Sequence, residues 1–152
     1  MTSDSGKSAN HPPFIYLDHI ADTRFIAYGF SLENVFENSA LAMLNVIADI
    51  SGLSHEVEFQ AEIFAPELED LLVRFLSEIL FLFDAKETLF GTVRVNALRK
   101  KEDGWIVSFQ VFGEPVDSSK QNFRTEVKAV TYNGIRVEKT AFGFETEVVL
   151  DL

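Results

Sequence analysis

Over residues 32–50, Leu32, Val35, Phe36, Ala40, Met43 and Ile47 recur at helical spacing, while Glu33, Glu37, Asn38 and Asn45 occupy the other faces. Ser31 can cap the first free backbone N–H groups, so the helix predicted here starts at Leu32, and Gly52 ends it. The period then changes. Val57, Phe59, Ala61 and Ile63 alternate with Glu56, Glu58, Gln60 and Glu62, as in a strand with one face on a core and the other in water. Pro66, with its fixed φ, and the acidic residues Glu67, Glu69 and Asp70 predict the opening turn of a second helix. Along it Leu68, Leu71, Leu72, Phe75, Ile79, Leu82 and Phe83 form an apolar stripe, widened by Leu76 and Leu80. Asp70, Arg74 and Glu78 interrupt that stripe at helical intervals, which makes it a core face rather than a membrane span or a cofactor pocket.

The remaining segments read as strands. Residues 14–18 and 24–29 are short, aromatic and β-branched, joined through His19-Ile20-Ala21-Asp22-Thr23. Residues 90–98 and 105–111 alternate on either side of Glu102-Asp103-Gly104 and predict a hairpin. Residues 125–132 and 135–139 flank Asn133-Gly134, a two-residue hairpin signal. In the last stretch, residues 143–152, Phe144, Thr146, Val148 and Leu150 face one way and Glu145, Glu147, Val149 and Asp151 the other. Two helices set among strands without regular βαβ alternation predict an α+β fold: a single domain, two helices packed on mainly antiparallel β-sheet. That domain spans residues 14–152. Residues 1–13, with almost nothing to bury, are expected to form a disordered tail.

A chain of 152 residues can bury a core without staples, and the absence of cysteine excludes disulfides and thiolate metal sites. The formal charge of −11 argues against direct nucleic acid binding, which relies on lysine and arginine displacing counterions. No apolar run approaches the ~20 residues of a membrane span, and the N-terminal residues lack signal-peptide order. A soluble cytoplasmic protein with no membrane partner is the expectation. G-x-S-x-G, H-E-x-x-H, glycine-rich phosphate loops and the EF-hand pattern are all missing from the sequence.

Two places concentrate polar chemistry. In the last strand the Asp151 side chain, a backbone carbonyl and the α-carboxylate at Leu152 put three hard oxygen donors within two residues. Such a group is either half of a cation site or a solvated acidic chain end, and spacing alone does not choose. His19 and Asp22 stand three apart. They could make an acid–base pair, or His19 could orient a turn; without a nucleophile in reach they make no triad.

His19-Ile20-Ala21-Asp22, followed by Ala27-Tyr28-Gly29 and the run from Ser31 to Ala40, resembles the opening signature of the archease family. Glu126-Val127-Lys128-Ala129-Val130-Thr131-Tyr132 and Val149-Leu150-Asp151-Leu152 resemble its other two signatures, and residues 68–84 its second helix. The resemblance implies an accessory protein, not an enzyme, that activates an RtcB-type GTP-dependent tRNA-splicing RNA ligase by promoting its guanylylation and multiple turnover. It also implies a divalent cation, calcium in the usual description, held by Asp22, Asp151 and the main-chain oxygens of Leu152. A chaperone-like role toward an RNA-modifying enzyme, such as a tRNA cytosine methyltransferase, is a second implication, with Glu56, Glu58 and Glu62 facing a basic enzyme surface. His19, Lys120 and Lys128 are candidate contacts to a partner or nucleotide. The chain departs from the family pattern where histidines are common: Asn133 follows Tyr132, and Lys120-Gln121-Asn122 stands in the preceding loop.

Overall fold

A computed structural model describes residues 11–17 and 22–152. In chain order they form β1 (Phe14–Leu17), β2 (Asp22–Gly29), α1 (Leu32–Ile47), β3 (Val57–Ala65), α2 (Leu68–Lys86), β4 (Thr88–Lys101), β5 (Gly104–Pro115), β6 (Ala129–Thr140) and β7 (Gly143–Asp151). The strands divide into two antiparallel sheets. One has four strands in the order β1-β2-β7-β6, the other three in the order β3-β5-β4. The α+β architecture expected from the sequence is therefore present. The last strand lies inside its sheet, with β2 on one side and β6 on the other.

Both helices touch strands of both sheets, which is why each is buried around more than one narrow stripe. α1 packs on β2 and β7 of one sheet and on β4 of the other; α2 packs on β3 and β5 and on the edge strand β6. Phe36 from α1, Phe75 from α2 and Phe109 from β5 meet in the centre, with ring centroids 5.2 and 4.7 Å apart. All three are fully buried, and each such side chain contributes ~1.5–3 kcal/mol. Gly29 lets the end of β2 abut α1, since a Cβ there would stand 2.4 Å from the Val35 nitrogen.

Local signals place most boundaries. Ser31 caps α1 by accepting from the Asn34 N–H at 3.0 Å. β3 alternates between exposed and partly buried residues along its length, as its pattern requires. The β4–β5 hairpin closes with Lys101 opposite Gly104. Other boundaries differ from the sequence reading. α1 stops at Ile47 rather than near residue 50, because Ala48 turns extended and bridges to Phe123 while the Asp49 N–H donates to the Asn122 carbonyl. α2 begins at Leu68 with Glu67 as its cap residue, so Pro66 lies before the helix.

The largest difference is at Asn133-Gly134. No hairpin turn forms there; β6 runs through it as one strand to Thr140. The ladder to β7 skips from Thr131 opposite Val149 to Arg136 opposite Glu147, so the residues between bulge out, with Gly134 at φ +68°. Both halves keep the same partner strand, and the bulge carries the Tyr132 hydroxyl to Asp70 on α2, 2.5 Å away. The actual reversal follows Thr140, which pairs with Gly143.

The predicted tail of residues 1–13 is described only from His11 onward. There it is tied down: His11 stacks on Tyr28 at 4.5 Å, and the Pro13 carbonyl accepts from the Tyr28 N–H at 2.8 Å.

α1 is latched to β7 by two buried hydroxyls. Ser39 Oγ donates to the Val35 carbonyl at 2.7 Å and lies 2.8 Å from Thr146 Oγ1. With the Ser39 proton committed to Val35, Thr146 is the donor between the two hydroxyls. Thr146→Val leaves the Ser39 oxygen buried without its partner and is expected to lower unfolding free energy by ~1–3 kcal/mol. Adding Ser39→Ala should recover part of that loss, a non-additivity read from urea denaturation midpoints of the four proteins in the cycle.

Candidate functional site

The two ladders of β7 converge on its last residue. Asp151 stands opposite Asp22 of β2 on one side and Ala129 of β6 on the other. Residues directly opposite in an antiparallel pair project from the same face, with Cβ atoms ~4.5–5.5 Å apart. Two carboxylates from distant parts of the sequence thus share one end of one sheet. Asp22 is partly buried and Asp151 exposed.

The backbone around them is partly committed. The Lys128 N–H donates to the Asp151 carbonyl at 2.8 Å. The oxygen donors that could hold a cation are the two carboxylates and the main-chain oxygens of Asp151 and Leu152, a hard set suited to calcium or magnesium rather than to a softer metal. Among the described residues no group of three or more His, Asp or Glu side chains converges, so main-chain oxygens would have to complete the set.

The rest of the outward face of β7 is electrically closed. Arg136 reaches Glu145 at 2.8 Å, Glu147 at 3.1 Å and Glu138 at 3.2 Å, and Arg24 reaches Glu147 at 2.8 Å. Burial disfavours the Arg136 charge, but hydrogen bonds to Glu145, Glu147 and Glu138 outweigh it and hold its pKa above the ordinary value. No ion pair forms at Asp151 among the described residues. Acidity along the strand is neutralised midway and left open at the end.

The other candidates fall apart from this centre. Lys128 is exposed and adjoins the site through its own N–H. Lys120 is exposed in the loop between β5 and β6, where its N–H donates to the Asp117 carbonyl at 2.9 Å. His19 lies outside the described residues. Gln121 is buried and structural: its Oε1 accepts from the Asp117 N–H at 2.8 Å and its Nε2 donates to the Pro115 carbonyl at 2.9 Å. Asn133 sits in the exposed β6 bulge.

The sequence reading missed Tyr132 and Asp70. The hydrogen bond to Asp70 is the main reason the Tyr132 phenol is held above its ordinary pKa, and Asp70 is itself gripped by Arg74 at 3.0 Å. This pair anchors the strand that supports Asp151. Tyr132 stood inside a quoted signature, but nothing in its spacing pointed to α2.

The Archease protein family (MTH1598/TM1083) matches residues 14–152, so it includes both aspartates and the segment between Glu126 and Tyr132. The chain belongs to the archease family. Protein archease of Methanosarcina mazei is 44% identical over 137 residues, covering 90% of this chain and 94% of that one. The archease-like protein of Drosophila melanogaster is 33% identical over 139 residues, covering 90% and 88%. Among solved structures, Methanobacterium thermoautotrophicum protein 1598 superposes with a TM-score of 0.80 at 33% identity, covering 92% of this chain and 99% of that one. An archease of Thermotoga maritima, described as a possible chaperone, shares the fold with a TM-score of 0.54 at 20% identity, covering 90% of this chain and 94% of that one. In the archease fold as this chain builds it, β7 is the strand that sets the two aspartates side by side.

Like charges placed directly opposite on a sheet destabilise it. In buffer containing a chelator, Asp151→Asn is therefore expected to raise unfolding free energy by ~0.2–1 kcal/mol. Glu147→Gln, which removes a carboxylate shared by two arginines, should lower it by about 1 kcal/mol. Opposite signs for two acidic residues four apart on one strand, measured by urea denaturation, are the diagnostic result.

Proposed function

We propose that this protein is an accessory factor that activates an RtcB-type GTP-dependent tRNA-splicing RNA ligase, promoting its guanylylation and repeated turnover. In this reading a divalent cation, calcium, is held by Asp22, Asp151 and the main-chain oxygens of Leu152. The observation that carries it is the cross-strand pairing of Asp22 with Asp151 at an exposed sheet end. Bound there, the cation supplies a divalent charge able to offset negative charge on phosphate oxygens. The protein's own residues hold and present it: the β2 and β6 ladders fix Asp151, and Arg24 and Arg136 keep the neighbouring glutamates from competing. Lys128, next to Asp151 and exposed, is placed to meet a nucleotide phosphate or an acidic patch on the ligase. Chemistry is left to the ligase.

The direct test is single-turnover guanylylation of the ligase with wild-type, Asp22→Asn and Asp151→Asn proteins. Both folded variants are expected to lose at least tenfold in stimulation; near-normal stimulation by both would rule the reading out. Without any ligase, ~1 mM calcium should raise the thermal midpoint of the wild type, by roughly 2–4 °C per kcal/mol of linkage, and leave Asp151→Asn unmoved.

A second reading, a chaperone-like module for an RNA-modifying enzyme, is favoured by one feature, the exposed acidic row on β3. Glu58 accepts from Gln110 Nε2 at 2.6 Å and Glu62 from Ser108 Oγ at 3.0 Å, so the row is ordered as well as charged. Charge reversal at Glu56, Glu58 and Glu62 should abolish the activity under this reading and leave ligase stimulation untouched under the first.

A further inference from the structure

Beside the Asp22–Asp151 end lies a second feature that the metal-site reading does not use. The segment leading into β6 does not continue as strand. It crosses from the end of α1, where the Arg124 N–H donates to the Ile47 carbonyl at 2.8 Å, to the end of β7, where Lys128 meets Asp151. Beneath it is a cleft of about 280 Å³ floored by Ile47, Phe83 and Val127 and walled by Phe123. Ile47 and Val127 are buried, whereas Phe123 keeps 40% of its surface exposed and its ring lies 6.4 Å from that of Phe83.

Two carboxylates edge the cleft, Asp84 at the end of α2 and Glu126, both exposed and with no ion pair or side-chain hydrogen bond among the described residues. The third charged residue on the edge, Arg124, is already committed: its Nη1 donates to the Asn45 carbonyl at 2.8 Å and to Asn45 Oδ1 at 3.0 Å. The edge is thus net acidic on a chain of net charge −11, and its floor is apolar. At this size the cleft falls just below the ~300–1,000 Å³ of small-molecule pockets, so it suits one inserted side chain rather than a nucleotide. Apolar anchors of that kind, ringed by charge that steers the approach, are how protein interfaces concentrate their energy.

We propose that this cleft receives one bulky apolar side chain, aromatic or leucine-like and flanked by lysine or arginine, from the protein partner that meets the Asp22–Asp151 end. The inference rests on the ligase reading above for the identity of that partner and adds where it is gripped. Glu126 and Val127 line the cleft and Lys128 follows directly, so anchor and sheet end fall on consecutive residues.

The test measures binding of the purified RNA ligase by calorimetry alongside its guanylylation. Thr125→Trp fills the cleft from an exposed position, and Asp84→Lys with Glu126→Lys reverses its edge. Each is expected to weaken binding at least tenfold, the charge-reversed pair also flattening its salt dependence. Both should shift the concentration for half-maximal stimulation and leave the plateau in place, whereas Asp151→Asn should lower the plateau with little change in binding. Unchanged affinity in both cleft variants, with the plateau still lost in Asp151→Asn, would overturn the cleft assignment alone. No binding of the wild-type protein to the ligase would overturn the ligase reading and this inference with it. A dimer in sedimentation that Thr125→Trp abolishes would put a second copy of this chain in the cleft and also overturn the proposal. Should Thr125→Trp unfold by circular dichroism, the charge-reversed pair, both sites exposed, decides alone.

Discussion

β7 is hydrogen-bonded along both edges, and almost everything that can be said about function depends on the register of those two ladders. A slip of one residue on either side would turn every side chain of the strand to the opposite face. Several contacts forbid it. On the inner face Thr146, Val148 and Leu150 are fully buried, and the Thr146 hydroxyl must meet Ser39 on α1. On the outer face Glu145 and Glu147 must reach Arg136, and Glu147 must also reach Arg24 from the neighbouring strand. Core packing, a buried hydroxyl pair and an ion-pair network therefore select the same alignment. Asp22 opposite Asp151 follows from that alignment rather than from any interaction between the two aspartates.

The same network explains why the end of the strand differs electrically from its middle. Arginines from β2 and β6 converge on the glutamates of β7, so the centre of that face carries little uncompensated charge. Beyond their reach Asp151 is exposed beside Asp22, and farther round the same end Asp84 and Glu126 edge an apolar cleft. On a chain of net charge −11 this end attracts cations and basic surfaces over distances comparable to the ~8–10 Å Debye length. The steering is sequence-independent; the apolar floor of the cleft and the fixed oxygens at Asp151 are what can discriminate.

What the sequence discloses and what it hides divides by contact range. Ser31 as a cap, the alternation of β3 and the turn after Lys101 rest on residues a few positions apart, and periodicity finds them. The early end of α1 rests on the bridge from Ala48 to Phe123, and no local rule could place it. Asn133-Gly134 is the clearest case. The dipeptide does supply a positive φ at Gly134, as a hairpin would need, yet the chain uses it to bulge because both flanking segments pair with β7 and Tyr132 is drawn to Asp70. For the candidate site, the outward direction of Asp151 was legible from strand period. Its pairing with Asp22 came only through family resemblance, since the two are over a hundred residues apart in sequence. The burial of Gln121 was invisible for the same reason: its partners, Asp117 and Pro115, define a loop whose path the sequence does not reveal.

The segment from Phe123 to Lys128 links the cleft to the sheet end. It belongs to neither sheet and is held at one end by the Ile47 carbonyl and at the other by the carbonyl of Asp151. Its side chains line the cleft, while its backbone touches the residue whose carboxylate faces Asp22. The cleft and the sheet end are therefore not mechanically independent. Val127 is buried in the cleft lining, and the N–H of the next residue, Lys128, donates to the Asp151 carbonyl at 2.8 Å. Tyr132, bonded to Asp70, limits motion from the other direction. One short segment thus serves both as lining of the cleft and as backbone support for the Asp151 carbonyl, the kind of surrounding support that holds a set of oxygen atoms in position.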